Sequence, residues 1–206
     1  MVAGVKEILD GLWHFSARHE RIDTDVSSYW YASGRVLIDP MCPSGGIDAL
    51  PGEDGPTDIL LTNRHHWRHS GEYVQAYAVT VHASRPGMHE FGEDQPVAPF
   101  DFGDELPGGA VAHDVGTISP DETALHLPGL AAVAFADGLV RIPPDAPLGF
   151  VPDELIGDDP EGVKEGLRER YRRLLDELEL DHLLLAHGNP VVGDGREALE
   201  RFVDGG

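Results

Sequence analysis

Cysteine is almost absent from this sequence: Cys42 is the only one among 206 residues. A single thiol cannot form a disulfide within its own chain, and it cannot build a zinc site from several thiolates. Any metal ion that the protein binds must therefore use histidine, aspartate or glutamate side chains as ligands.

Long apolar runs are also missing. No stretch of about 18 consecutive apolar residues, the length that a membrane-spanning helix requires, occurs in the chain. The first residues, MVAGVKEILDGLWHF, lack the basic region followed by an apolar run that is typical of a secretory signal. We therefore expect a cytoplasmic protein that has no membrane partner.

Basic residues are scarce: 15 Lys and Arg stand against 37 Asp and Glu, so the formal net charge is -22 at pH 7. A surface of this sign repels nucleic-acid phosphates, and it also keeps a protein soluble, for example at high salt. We expect a small-molecule ligand or substrate and no nucleic-acid partner. A homodimer is a further possibility that the composition leaves open. With 41% hydrophobic residues, the chain is long enough for one buried core, and we expect a single domain over residues 1–206.

The first half of the chain predicts short strands separated by turns. Apolar runs bounded by turn residues indicate strands at 11–17, 28–33, 35–40 and 58–63. Tyr73, Val74 and Tyr77 then recur at helical spacing, with Ser70 as a candidate N-cap, and predict a helix. VTVHAS, at 79–84, predicts the next strand.

The middle of the chain is rich in Gly, Pro and Asp. Residues 85–121 therefore predict an extended loop, of the kind that often shapes a binding site. Regular structure resumes with a predicted strand at 122–128. The segment 130–142 predicts a β-hairpin that turns at Asp137 and Gly138.

The clearest helix begins near Asp159 and Pro160, because a capping residue is followed by proline at the first helical position. Its apolar face carries Val163, Leu167, Tyr171, Leu174, Leu175 and Leu178. Residues 182–188 predict a buried strand that ends in His187, and a terminal helix starts near Asp194. This order of elements predicts an α/β or α+β layered sandwich.

Three histidines lie close together in LTNRHHWRHSG, residues 61–71. The segment follows a predicted strand and precedes a predicted helix, which is a common place for a functional site. Zinc-dependent hydrolysis needs neutral imidazoles or carboxylates that converge on one ion and leave an open position for water. We therefore expect Arg64, His65, His66, Arg68 and His69 to lie at a ligand or metal site.

This segment resembles an eroded copy of a motif of the metallo-β-lactamase-fold hydrolases. In that family the strand ends in threonine, followed by H-x-H-x-D-H and soon after by glycine. Aligned on the threonine and the glycine, this sequence has Asn63 for the first histidine and retains the second as His65. Trp67 and Arg68 replace the aspartate and the last histidine.

Three downstream segments extend the resemblance from about Val36 to the carboxyl terminus. ISPDETAL resembles the segment that carries the family's third histidine, but Ile118 occupies that position. VAFADGLV places Asp137 where the family has its bridging aspartate, and LLLAHGNP places His187 at the final histidine. The resemblance implies the family's αβ/βα four-layer sandwich with two mixed sheets.

The resemblance also implies a reduced metal site. His65, Asp137 and His187 are the surviving ligand positions, and they are the candidate catalytic residues. At most one zinc or other divalent ion is expected, with Asn63, His66 or His69 completing its shell. Such an ion would activate water against an ester, thioester, amide or phosphodiester, with His66 or His69 as proton carriers.

A non-catalytic binding protein without any cofactor is the alternative. Arginine cannot lose its proton to bind a metal, so an ion pair between Arg68 and Asp137 can replace the charge of the lost ion. Trp67 can fill the vacated volume, or Arg64 and Arg68 can hold a small anion. A metal-binding β-barrel of the cupin kind is a more remote possibility, because the histidine spacing and the two carboxyl-terminal helices fit it poorly.

Overall fold

The computed structural model describes residues 4–205, which form two β-sheets and three α-helices. The strands of the first sheet are β1 (Lys6–Leu9), β2 (Leu12–His19), β3 (Thr24–Tyr31), β4 (Val36–Ile38), β5 (Asp58–Leu60), β6 (Thr80–Ser84) and β7 (Val97–Phe100). Those of the second are β8 (Glu105–Leu106), β9 (Ala110–Asp114), β10 (Thr123–Leu127), β11 (Ala132–Phe135), β12 (His182–Leu185) and β13 (Val191–Val192). The helices are α1 (Ser70–Tyr77), α2 (Pro160–Glu177) and α3 (Gly195–Val203).

Both sheets are mixed. The first follows chain order from β1 to β7; its first four strands are antiparallel, and β4 to β7 are parallel. The second has the order β13-β12-β11-β10-β9-β8, and its parallel pair is β11 with β12. The carboxyl ends of parallel neighbours meet at one edge of a sheet, so both sheets present loops there.

The two sheets pack face to face, and helices cover their outer faces. A shared core of buried side chains, including Leu60 from β5 and Leu184 from β12, lies between the sheets. A second core joins β10 to β12 with α2 and α3, and a third joins the other face of the first sheet with α1. The expected four-layer sandwich with two mixed sheets is therefore confirmed.

Two segments differ from the sequence-based prediction. Residues 85–121 contain β7, β8 and β9 and are not an extended loop. These strands are only two to five residues long, and β7 includes Pro99, which is tolerated because β7 is an edge strand. The predicted hairpin at Asp137 and Gly138 is also wrong, since β11 ends at Phe135 and pairs in parallel with β12.

The predicted start of α2 is confirmed, because the Asp159 side chain accepts a hydrogen bond from the Gly162 N–H. In α1 the N-cap is His69 and Ser70 is the first helical residue, so the helix begins one residue earlier than predicted. Among residues 4–205, none of the helices is both long and apolar enough to cross a membrane.

Candidate metal centre

Polar side chains gather where four strands of the two sheets end. Asp39 follows β4, Asn63 lies shortly after β5, Asp137 comes two residues after β11, and His187 two residues after β12. Backbone hydrogen bonds join the sheets at this edge, from the Thr123 N–H to the Thr62 carbonyl and from the Ser27 N–H to the Ala186 carbonyl. The strand ends from both sheets are thereby held together.

Three side chains that can bind a metal ion converge at this edge: His66, Asp137 and His187. The Nε2 atoms of His66 and His187 lie 3.2 Å and 2.9 Å from Oδ1 of Asp137. One ligand atom of each residue lies within 4.8 Å of those of the other two. The side chain of Asp137 keeps 28% of its surface exposed, so the cluster can be reached from solvent.

The second nitrogen of His66 is held by a buried carboxylate. Nδ1 of His66 lies 2.9 Å from Oδ2 of Asp39, and Asp39 in turn accepts hydrogen bonds from the backbone N–H and the hydroxyl of Thr62. Burial by itself raises the pKa of the Asp39 carboxyl, but His66, Arg68 and Thr62 outweigh it and hold that pKa below its usual value. Histidines that bind metals commonly have such a carboxylate on the nitrogen opposite the ion, which fixes the ring.

His66 carries a positive charge when no metal is bound. Burial lowers the pKa of its imidazole, but the carboxylates of Asp39 and Asp137 outweigh burial and raise that pKa to about 9. A metal ion that binds His66 has to displace this proton, so metal affinity falls as the pH is lowered.

The donor set fits a single divalent ion. Two imidazoles and one carboxylate are a known protein ligand set of catalytic zinc and of non-haem iron sites. Ligands about 2.0 to 2.2 Å from a tetrahedral zinc ion lie about 3.4 Å apart. The distances from Oδ1 of Asp137 to Nε2 of His187 and to Nε2 of His66 are 2.9 Å and 3.2 Å. They are slightly shorter, as expected where hydrogen bonds take the place of metal–ligand bonds.

The sequence-based ligand His65 lies outside this cluster. His65 is exposed, whereas its neighbour His66 is buried and reaches Asp137. Residues Arg64–Trp67 form a 3-10 helical turn that Asn63 caps by accepting the His65 N–H. In such a turn neighbouring side chains point about 120° apart, so alignment by residue count selects the wrong histidine.

Both arginines of the segment 61–71 already bond to other groups of the protein. Arg64 forms an ion pair with Asp121 and contacts Ser119. One terminal nitrogen of Arg68 donates to the backbone carbonyls of Ser27 and Asp39 at 2.6 Å and 2.8 Å. The expected ion pair between Arg68 and Asp137 is absent from the described part of the chain, because the guanidinium turns toward these carbonyls.

Other residues of the segment also lie away from the centre. His69 accepts a hydrogen bond from the Cys42 N–H, and the Trp67 ring packs against Phe91 on the outer side of the first sheet. Trp67 therefore does not fill the space between the metal-binding side chains. Asn63 does reach the centre, since its amide donates to Oδ2 of Asp137 at 2.9 Å.

Asp39 was not identified from the sequence. In the sequence Asp39 is the last polar residue of the predicted strand at 35–40, RVLIDP, and it belongs to no recognised motif. Its position at the end of β4, directly before a proline, is the one local signal that was available. The backbone φ of Asp39 is 47°, an uncommon left-handed conformation that turns the chain sharply at the site.

Solved structures share this architecture at low sequence identity. Rubredoxin oxygen:oxidoreductase from Desulfovibrio gigas superposes with a TM-score of 0.70 at 12% identity, over 97% of this chain and 61% of its own. The chain thus spans about three fifths of that protein. A metallo-β-lactamase from Pontibacter korlensis superposes with a TM-score of 0.67 at 15% identity, over the full length of both chains.

A third structure, TTHA1623 in a di-iron-bound form, has a TM-score of 0.62 at 21% identity, over 96% of each chain. No protein-family model and no curated protein matches the sequence. The shared features are therefore the two mixed sheets and their helices. On this evidence the chain has the metallo-β-lactamase fold.

Proposed function

We propose that the protein is a metal-dependent hydrolase that holds one zinc or other divalent ion through His66, Asp137 and His187. The observation that carries the proposal is the convergence of two imidazole Nε2 atoms on one carboxylate at the shared edge of the sheets. The Asp39 carboxylate behind His66 supports it, because it fixes the ring with Nε2 directed toward Asp137.

A single ion fits the remaining residues better than two. Asn63 and Arg68 occupy positions where the resemblance places histidines, and Ile118 packs against the core under α2. A protonated guanidinium and an alkyl side chain offer no lone pair to a metal. The positive charge of Arg68 beside the centre also opposes a second cation.

A divalent ion held there lowers the pKa of a bound water and polarises the bond under attack. The residues of the chain prepare the site: Asp39 orients His66, and Asn63 occupies Oδ2 of Asp137 so that Oδ1 faces the two imidazoles. A cavity of about 250 Å³ lies beside His187 and is lined in part by Arg18 and Arg141. We assign this cavity to the substrate, an ester, thioester, amide or phosphodiester.

Metal content and turnover test the proposal. Protein purified without a metal-affinity column is analysed for zinc, iron and manganese, and hydrolysis is followed with chromogenic esters and phosphodiesters. We expect His66→Ala and His187→Ala to lose about one equivalent of metal relative to wild type, together with hydrolysis. His65→Ala is the matched control, because this adjacent histidine is exposed and lies outside the cluster, and the variant should retain both metal and hydrolysis. Equal metal content in wild type and His187→Ala would overturn the proposal.

A non-catalytic protein is the second candidate. It is favoured by the hydrogen bonds of Asp137. Its carboxylate already accepts one hydrogen bond from each of Asn63, His66 and His187. In that case the charged imidazole of His66 takes the place of a metal ion. Purified protein would then contain no metal at this centre, and His187→Ala would change stability alone. Because Arg64 and Arg68 are engaged by protein groups, we expect no rise in melting temperature with phosphate.

A further inference from the structure

A second group of metal-binding side chains lies on the outer side of the first sheet. Cys42, His69 and Glu72 bring one ligand atom each within 4.8 Å of one another. The Cys42 thiol donates to Oε2 of Glu72 at 2.9 Å, and Nδ1 of His69 lies 4.0 Å from Oε1 of Glu72. The cluster is partly exposed, so an ion can enter from solvent.

Nδ1 is the nitrogen of His69 that faces Glu72, and it accepts the Cys42 N–H in the metal-free protein, whereas the other ring nitrogen faces Glu20. Oε1 of Glu20 lies 3.6 Å from Nε2 of His69. Cys42 lies in the loop after β4, whereas His69 and Glu72 lie at the first turn of α1, so the fold brings the cysteine to the other two residues. One sulfur, one imidazole nitrogen and one carboxylate oxygen are donors that zinc accepts, and a water molecule would complete a tetrahedral site.

The hydrogen bonds within the cluster are those that a cation would replace. Burial and the neighbouring Glu72 carboxylate raise the pKa of the Cys42 thiol to about 12, so the sulfur is protonated in the metal-free protein. A bound divalent cation reverses this preference, because it stabilises the thiolate directly. The thiol proton is released to solvent as the metal–sulfur bond forms.

We propose that Cys42, His69 and Glu72, with water as the fourth ligand, form a second site for zinc or a similar thiophilic divalent ion. It is separate from the centre at Asp137 and contains the protein's one cysteine. Thiolate and imidazole donors select zinc, cobalt or nickel over magnesium and calcium.

The second site borders the segments that build the first. Cys42 lies three residues after Asp39, His69 lies three residues after His66, and the His69 N–H donates to the Pro40 carbonyl at 3.1 Å. A metal ion that joins Cys42 to His69 therefore ties together the two segments that position Asp39 and His66. Its role is structural, and it holds the histidine of the first centre in place.

Cobalt substitution tests this site without relying on activity. Metal-free full-length protein is titrated with Co²⁺, and the near-ultraviolet absorption of thiolate-to-cobalt charge transfer is recorded. The first centre contains no sulfur, so we expect this absorption in wild type and in His187→Ala but not in Cys42→Ser. Its absence from wild-type protein with two equivalents of cobalt bound would overturn the proposal.

Thiol reactivity provides a second measurement that needs no substitution at Cys42. We expect Zn²⁺ to slow alkylation of Cys42 about tenfold or more, because the metal-bound thiolate is shielded and less nucleophilic. Glu72→Gln should weaken this protection about tenfold. Glu53→Gln, at an exposed carboxylate in another loop, is the matched control and should leave protection unchanged. Equal alkylation rates with and without Zn²⁺ would also refute the site.

Discussion

Glu122 is a carboxylic acid held almost entirely out of water next to the candidate metal centre. Glu122 directly precedes β10. Its Oε1 accepts a hydrogen bond from the Gly138 N–H, whereas Oε2 has no hydrogen-bond partner among residues 4–205. Burial, and then the nearby Asp137 carboxylate, raise the pKa of Glu122 from 4.5 to about 8. The folded protein therefore carries a neutral Glu122 at neutral pH, whereas the unfolded chain carries a charged one.

Glu122→Gln should change how stability depends on pH in the metal-free protein. Between pH 4.5 and 8 the folded state keeps a proton that the unfolded state has released, so wild-type stability falls as the pH rises through this window. Glutamine has no such proton and preserves the acceptor for Gly138. The stability of Glu122→Gln relative to wild type should rise by on the order of 1 kcal/mol per pH unit.

Urea unfolding at several pH values between 5 and 8 measures this difference. Glu105→Gln, at an exposed carboxylate in β8, is the control and should show a constant difference from wild type. A constant difference for Glu122→Gln as well would show that Glu122 is ionised in the folded protein.

Among the helices, α2 is the one whose start and buried face agree most closely with the prediction from its sequence. Leu167, Tyr171 and Leu174 are buried against the second sheet, as the helical spacing of apolar residues predicted. Asp159 at the N-cap accepts the Gly162 N–H at 3.1 Å, which satisfies one of the free backbone donors of the first turn. The helix covers the sheet on which Asp137 and His187 are carried.

Asp159→Ala should lower the free energy of unfolding by about 1 kcal/mol, because the N-cap acceptor and its favourable charge at the helix start are lost. Thermal and urea unfolding measure the effect. The adjacent Asp158→Ala removes the same charge from an exposed residue that does not cap the helix, and we expect a much smaller change. Equal losses for the two variants would assign the effect to charge alone.

For the molecule as a whole, the net charge of -22 dominates the electrostatic contribution to stability. Such an excess of one sign destabilises a compact state through self-repulsion, which is felt most when salt does not screen it. The Debye length shortens from about 10 Å at 0.1 M salt to about 3 Å at 1 M. Screening therefore relieves repulsion between carboxylates over most of the surface.

We expect the melting temperature to rise between 0.05 M and 1 M NaCl at pH 7, by several degrees, as about 1 kcal/mol or more of repulsion is screened. Differential scanning calorimetry measures the shift. Near pH 5 part of the carboxylates are protonated, so the same salt series should give a smaller rise. A rise that is equal at both pH values would point to a general salt effect on hydrophobic burial.

The class of fold, the start and buried face of α2, and two of the three side chains of the candidate metal centre could be predicted from the sequence. The fold class and the helix depend on local patterns: apolar periodicity and a capping residue before proline. Asp137 and His187 were identified through the resemblance to the metallo-β-lactamase-fold motifs, and in the structure each comes two residues after the end of a strand. The placement of such residues at a sheet edge follows from strand direction alone.

The packing of the two sheets is needed to explain why His66, and not His65, lies beside Asp137 and His187, and why Asp39 contacts the far nitrogen of His66. His66 is 27 residues from Asp39 and 71 from Asp137, and nothing in its neighbourhood in sequence specifies either partner. The same holds for the short strands within residues 85–121, which are stabilised by pairing with β6 and β10. Local pattern specifies which backbone conformation a segment favours, whereas the packing of the two sheets selects which side chains meet.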